Sequence, residues 1–307
     1  MRFASLVSCT DNYKQFLNAQ LNSFDYYGHK HDVHIIALDV DPEYLDRILE
    51  TDWTFNVIIH EKKLEDYERL AGMGKNMISK KARYEALVDM LDYDALLFLD
   101  ADLFCVNNVT PFLDMVAGTD IIVGVNERFK WRLDEFSYEN ERLPARRMDW
   151  MICNAPTFFS PRRNESFIRT ANAAATKCKN IPKNAIPSDL FTMNLALYLA
   201  GVTENVVALP AYSWTGVHQQ YLNIFYRISK KGERWVSESG EPVYMIHGRW
   251  DRPATWEGML REQEKRYNEV GMGDEHKKKY RAKTDATIRE IRAQYDFFNN
   301  GYKLKLS

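Results

Sequence analysis

Two carboxylates stand almost side by side in "ALLFLDADLFC" (95–105), where Asp100 and Asp102 are separated only by Ala101 at the end of an apolar run. Like charges this close repel, and burying either without a partner is costly. A polar turn could use the pair simply to end a strand; a divalent cation would relieve both charges at once. Oxygen ligands under this repulsion suit Mg²⁺ or Mn²⁺, and such an ion in turn binds phosphate oxygens. The chemistry implied is departure of a diphosphate whose growing negative charge is neutralised at the site. A third candidate ligand, His247, closes the apolar run "VYMIH" (243–247). An imidazole is a good companion to carboxylates on Mn²⁺. Arg249 and Arg252 follow it and could grip a diphosphate through paired hydrogen bonds, or could be solvated loop charges.

Asp11 and Asp189 each sit just before a helical pattern. A carboxylate there can serve the helix terminus, meet a ligand, or do both. The aromatic stretches "FKWRLDEFSY" (129–138) and "AYSWTGVHQQY" (211–221) hold Trp131, Tyr212 and Trp214, which could stack on sugars or bases or could be core and rim. "HKKKYRAK" (276–283) is a basic run, either a solvated helix face or a contact for an anionic surface.

The elements that must position these groups alternate. Strand-like runs cover 2–9, 32–38, 54–60, 95–100 and 120–125. Helical patterns cover 11–28, with Leu17, Leu21 and Phe24 in step and Gly28 as a stop, 42–50 behind Pro42, and 76–91, with Ile78, Ala82 and Met90 on one side. Strands alternating with helices, and continuously apolar rather than alternating, predict a mainly parallel sheet covered on both faces. In an open sheet of this kind ligands bind outside the carboxyl ends of the strands, where Asp100 and Asp102 fall. The middle is less regular: a polar, aromatic stretch over 135–154, the apolar "APTFFS", and helices over 163–178 and 188–201 with Ser188 as N-cap. "NVVALP" and "VYMIH" read as further strands. Residues 256–307 are charged and helical, with Ile288, Ile291, Tyr295 and Phe298 on one face.

The chain has 307 residues and a formal net charge of −2. That length holds a full hydrophobic core, and the near-neutral charge argues against a general nucleic-acid binder. Cys9, Cys105, Cys153 and Cys178 show neither metal-site spacing nor a disulfide framework and read as small buried side chains. The N-terminus lacks a signal-peptide pattern, and no stretch approaches the roughly 20 apolar residues that span a bilayer. The expectation is a cytoplasmic protein; its oligomeric state is open.

"YDALLFLDADLFCVNNVTPFL" (93–113) resembles the D-x-D segment of glycosyltransferases with the GT-A fold, and is most similar to the glycogenin and galactosyltransferase-like, family 8-type enzymes. Further pieces are similar in the same order. "VSCTDNYKQFLNAQLNSF" resembles the family's first strand and helix, which implies nucleoside contacts from Thr10, Asp11 and Tyr13. "SKKARYEAL" resembles the segment before the D-x-D, implying Lys80 or Arg83 near the donor phosphates or sugar. "CNAPTFF" points to Asn154 and Ala155, and "DLFTMN" to Asp189 and Asn194. "IHGRWDRP" is similar to the terminal metal and phosphate motif, implying His247 and Arg252. Three departures stand out: Pro156 for a glycine, Leu190 for a glutamine, and Gly248 directly after His247 with Arg252 for lysine.

The resemblance covers residues 2–255 and implies a GT-A α/β fold, with a Rossmann-like, mainly parallel central sheet flanked by helices and a C-terminal helical tail. It divides the chain into a glycosyltransferase domain (1–255), with a nucleotide-sugar half over about 1–125 and an acceptor half over about 126–255, and a helical extension (256–307). It further implies sugar transfer from a nucleotide-sugar donor, a UDP-sugar, to an acceptor hydroxyl with retention. Asp100, Asp102 and His247 would hold Mn²⁺ or Mg²⁺, and Asp189 and Asp102 carry the catalytic assignments. Asp189 would become the general base if the enzyme inverts. The acceptor is open between a saccharide, a protein, a lipid-linked glycan and a modified nucleobase. Two other readings compete. A haloacid-dehalogenase-type phosphatase also places D-x-D at a strand end, but wants a threonine where Phe104 stands and its pair near the N-terminus. A catalytically inactive nucleotide-sugar binder would keep the fold alone.

Overall fold

The computed structural model describes residues 1–70, 74–126, 130–181, 183–209, 228–250, 260–261, 264–265 and 267–305. The chain divides into two compact units. The first, Met1–Lys14, Lys30–Asp100 and Thr110–Leu209, holds a seven-stranded sheet. Its strands are β1 (Phe3–Thr10), β2 (Asp32–Leu38), β3 (Val57–Lys62), β4 (Ala95–Asp100), β5 (Ile122–Asn126), β6 (Ile152–Phe159) and β7 (Val206–Leu209), in the order β7-β5-β6-β4-β1-β2-β3. All neighbours are parallel except β6, which runs antiparallel to both β4 and β5. The expected mainly parallel sheet is therefore present. β4 is buried along its whole length, as a strand covered on both faces must be.

Helices α2 (Pro42–Glu50), α3 (Lys75–Ala86), α4 (Thr110–Val116), α5 (Glu165–Lys177) and α6 (Asp189–Leu199) complete this unit. α3 packs on β1 and β2, α4 on β4 and β6, and α6 on β6 and α5. The helical pattern read over 76–91 is α3 followed by a tight 3₁₀ turn at Leu87–Met90. Ile78, Ala82 and Met90 are buried as their spacing predicts, and all four cysteines are buried and free. Ser188 does occupy the N-cap of α6, with its carbonyl accepting the first helical bond from Thr192 N–H, but its side chain makes no capping bond.

The second unit gathers Gln15–His29, Ala101–Val109 and Pro210–Ser307. Its framework is α1 (Lys14–Tyr26), α7 (Asp274–Asp296) and a short antiparallel ribbon of Leu103–Cys105 with Met245–His247. Ile288, Ile291, Tyr295 and Phe298 are buried, as the spacing requires. α1 is buried on its polar side as well. Asn18 donates to the carbonyls of Asn299 and Leu304, Asn22 to those of Phe298 and Leu304, and Asp25 pairs with Lys303 at 2.8 Å. The segment after α7 is thus sewn onto α1 by hydrogen bonds from asparagine side chains to its backbone carbonyls rather than by apolar contact alone. Among the described residues, no helix is long and apolar enough to cross a membrane.

β6 carries the part of the sheet nearest the D-x-D end of β4, and one side chain holds its start. Asn194 on α6 accepts from Ile152 N–H at 3.0 Å and donates to Ile152 C=O at 2.8 Å. It also donates to Leu190 C=O. Ile152 in turn lies over Gly124 of β5, where an added Cβ would come within 2.9 Å of its side chain. Removing the Asn194 amide would leave both polar groups of a fully buried peptide unit unpaired. Asn194→Ala should therefore destabilise the protein by about 2–4 kcal/mol, read as a lowered urea midpoint at unchanged slope. A loss below about 1 kcal/mol would show the clamp to be dispensable.

Candidate functional site

The carboxyl ends of β1 and β4 lie side by side, with Ser8 paired to Asp100. Thr10 ends β1 and is almost wholly buried, while Asp11 and Tyr13 occupy the 3₁₀ turn that follows. Asp11 is exposed, pairs with Lys14 at 2.9 Å and accepts from Asp41 N–H. Desolvation raises its carboxyl, but the bonds from Lys14 and Asp41 outweigh it and hold the group below its usual value.

At the end of β4, Asp100 is compensated from within the same unit. Arg83 Nη2 donates to one carboxylate oxygen at 2.7 Å, and Lys80 approaches the other at 3.3 Å. Lys80 also reaches Asp189 at 3.0 Å, with Arg83 3.9 Å from the same oxygen. Two cations on α3 thus join the end of β4 to the first turn of α6. Arg83 has no exposed surface and rests over the Phe98 ring at 4.1 Å, whereas the Lys80 side chain keeps 30% of its surface. Tyr84, also on α3, donates to Asp189 C=O at 2.9 Å. Neighbouring Lys81 is buried against Thr192, its hydrogen-bond acceptor.

In the second unit, Asp102 is held by its backbone and its side chain together. Its carbonyl accepts from Gly248 N–H at 2.9 Å, and its Oδ1 lies 3.1 Å from His247 Nε2. Gly248 adopts φ 142°, a conformation that strains any residue with a Cβ. This gives a physical reason for the glycine directly after His247. On the other side of the ribbon, Gln20 donates to Leu103 C=O and Ser23 Oγ accepts from Cys105 N–H. Arg249 packs over the Phe16 ring at 4.7 Å.

Asp100 leads through Ala101 to Asp102, and each of Asp100, Asp102 and His247 offers one ligand atom, all within 4.8 Å of one another. The set fits a divalent cation. Octahedral ligands about 2.1 Å from an ion stand about 3 Å apart when adjacent, which matches the Asp102–His247 separation of 3.1 Å. Two carboxylates and an imidazole are the donor types that Mn²⁺ and Mg²⁺ sites use. Asp100 turns one carboxylate oxygen to Arg83 and the other to Lys80.

Of the other sequence candidates, Ala155 is buried in β6 and Asn194 is consumed by its clamp. The Asn154 side chain, Arg252, Tyr212 and Trp214 lie outside the described residues. Two features had no clear signal in the sequence. One is the burial of Lys81, which sits among other lysines in "SKKAR". The other is a basic cavity beside Phe191.

A seven-stranded, mainly parallel sheet flanked by helices, with its single antiparallel strand beside the one that ends in D-x-D, is the GT-A fold of glycosyltransferases. The galactosyltransferase LgtC, solved with donor and acceptor sugar analogues, is similar over 86% of this chain and 94% of its own, with 15% identity and a TM-score of 0.55. An active-site mutant of LgtC gives 16% identity, the same coverage and a TM-score of 0.54. The bifunctional glycosyltransferase WbbM matches 85% of this chain with 14% identity and a TM-score of 0.52. This chain spans about half of WbbM, 49% of its length. These are likenesses of fold. No protein-family model matches the sequence, and no curated protein is similar to it.

The buried lysine makes the site's stability depend on pH. Burial, the largest influence, pushes the Lys81 ammonium down from 10.5 to about 8, against the opposing pull of Asp189. Between those values the unfolded chain holds more protons than the folded one, so stability rises with pH across that window. Below pH 8 the penalty is present in full. Lys81→Met should therefore be the more stable protein at pH 7, with its advantage shrinking by about 3 kcal/mol as the pH approaches 10.5. Urea midpoints of both proteins across that range measure it; a constant difference would show that Lys81 keeps its charge.

Proposed function

We propose that this chain is a metal-dependent glycosyltransferase that moves a sugar from a nucleotide-sugar, a UDP-sugar, to an acceptor hydroxyl with retention of configuration. The observation that carries this is the meeting of His247 with Asp102, 145 positions apart in sequence and 3.1 Å apart in space, beside Asp100. Asp100, Asp102 and His247 would hold a Mn²⁺ or Mg²⁺ ion, which supplies neutralisation of the leaving diphosphate.

The remaining roles follow from what each side chain can reach. Thr10, Asp11 and Tyr13 follow the carboxyl end of β1 and are suited to the nucleoside. Arg83 is too deeply buried to greet a ligand and acts as a positioning residue for Asp100. Lys80 keeps exposed surface between Asp100 and Asp189 and can turn to donor oxygens. Arg252 would add a second cation on the diphosphate, and Asn154 would border the sugar, while Ala155 is buried in β6 behind it. Asp189 already accepts from Lys80, which suits it to stabilising positive charge at the anomeric carbon more than to removing a proton. That supports retention. The nucleotide half then falls within residues 1–125 and the acceptor half within 126–255. The phosphatase alternative would need its nucleophile at the end of the first strand, where Thr10 stands.

Calorimetric titration with UDP, with and without Mn²⁺, tests this reading. Wild type should bind UDP only weakly without metal. Asp102→Asn and His247→Ala should each lose at least about tenfold of the metal-dependent affinity. UDP binding indifferent to Mn²⁺ and to both substitutions would overturn the assignment, and phosphate release from p-nitrophenyl phosphate would favour the phosphatase.

A further inference from the structure

The metal and donor residues leave a second polar cavity in the sheet-bearing unit unexplained. It has a volume of about 550 Å³. Four cations line it, Lys130, Arg132, Arg146 and Arg147, with one acid, Glu135, and two rings, Trp131 and Phe191. The cations are not scattered. An antiparallel ribbon places Arg132 directly opposite Arg147. Like charges facing each other across a ribbon destabilise it. Asp134 relieves Arg132 at 2.7 Å, and Asp149 relieves Arg147 at 3.1 Å. Lys130 and Arg146 precede that facing pair by two positions and one, and no acid comes within 4.0 Å of either among the described residues.

Exposed cations alone are ordinarily solvated and do little. The concavity and the rings set these apart. Trp131 and Phe191 meet edge to face with centroids 5.8 Å apart, and Phe191 is only half-buried, so an apolar surface borders the charges. Phe191 also lies two residues beyond Asp189, on the first turn of α6. The cavity therefore borders the first turn of α6, the turn on which the proposed catalytic carboxylate also stands. Its volume is in the range of small-molecule pockets. A net charge of −2, with no long basic stripe joined to the cavity, disfavours a nucleic-acid strand.

We infer that this cavity is the acceptor subsite and takes an anionic saccharide, one whose sugar bears a carboxylate or a phosphate. The inference rests on the transferase reading. The exposed part of Phe191, backed by Trp131, would meet the apolar face of the sugar, and Arg146 and Lys130 would meet its charge, Arg146 through two parallel hydrogen bonds.

The test uses the full chain with Mn²⁺ and UDP present, titrated with four probes: lactose, a uronic-acid disaccharide, a disaccharide phosphate and a 12-mer single-stranded oligonucleotide. Either charged disaccharide should bind about tenfold or more tightly than lactose, and the better of the two identifies the anionic group. Arg146→Ala and Lys130→Ala should each remove most of that advantage. Raising the salt concentration should do the same in wild type. UDP affinity should stay unchanged in both variants, which also reports that they are folded. Equal binding of lactose and the charged disaccharides, or variants that bind them like wild type, would overturn the inference. Tighter binding of the oligonucleotide would also overturn it. Failure of the transferase reading is separable: it appears as lost metal-dependent UDP binding in wild type, whatever the saccharides do.

Discussion

Asp100 must be buried at the end of a fully covered strand, and its charge has to be met there. Arg83 meets it from α3 with no solvent exposure of its own, stacked on Phe98. A desolvated pair of this kind adds little net stability compared with apolar packing, but losing either partner strands a buried charge. The pair therefore fixes α3 against β4 more by the penalty for separation than by attraction. Everything else on that face of α3 inherits the placement. Lys80 bridges to Asp189, Tyr84 holds the Asp189 carbonyl, and Lys81 reaches Thr192 one turn further along α6. One helix thereby sets the end of β4 and the start of α6 together.

The sequence makes the strands of this unit legible because a strand covered on both faces is a plain apolar run. "ALLFLD" and "DVHIIAL" are buried as that pattern implies. The same plainness hides direction: "APTFFS" reads as a strand, yet nothing in it tells that β6 runs antiparallel between β4 and β5. The metal cluster was legible for a different reason. Two adjacent carboxylates demand an outside charge, and His247 closes a later apolar run with a suitable ligand.

What stayed hidden depends on pairings that leave no periodic trace. The polar face of α1 looks solvated, but Asn18 and Asn22 spend their amides on backbone carbonyls nearly 280 residues on, at Asn299 and Phe298. The basic cavity is split between "FKWR" and "ARR", two short pieces whose charges face each other only through the Arg132–Arg147 register. In each case the partner is chosen by tertiary register, which composition and spacing do not encode.

The two aspartates of the D-x-D are consequently not equivalent. Asp100 sits on the rigid sheet, with both oxygens committed to cations of the protein and 9% of its side chain exposed. Asp102 stands on the turn beyond it, with 18% exposed, and its Oδ1 lies 3.1 Å from the imidazole of His247. Its position is set by backbone: the Gly248 N–H on its carbonyl and the pairing of Leu103 with His247. A motif of two identical residues is thus served by different surroundings: one carboxylate is met by the cations of α3, and the other by the imidazole of His247.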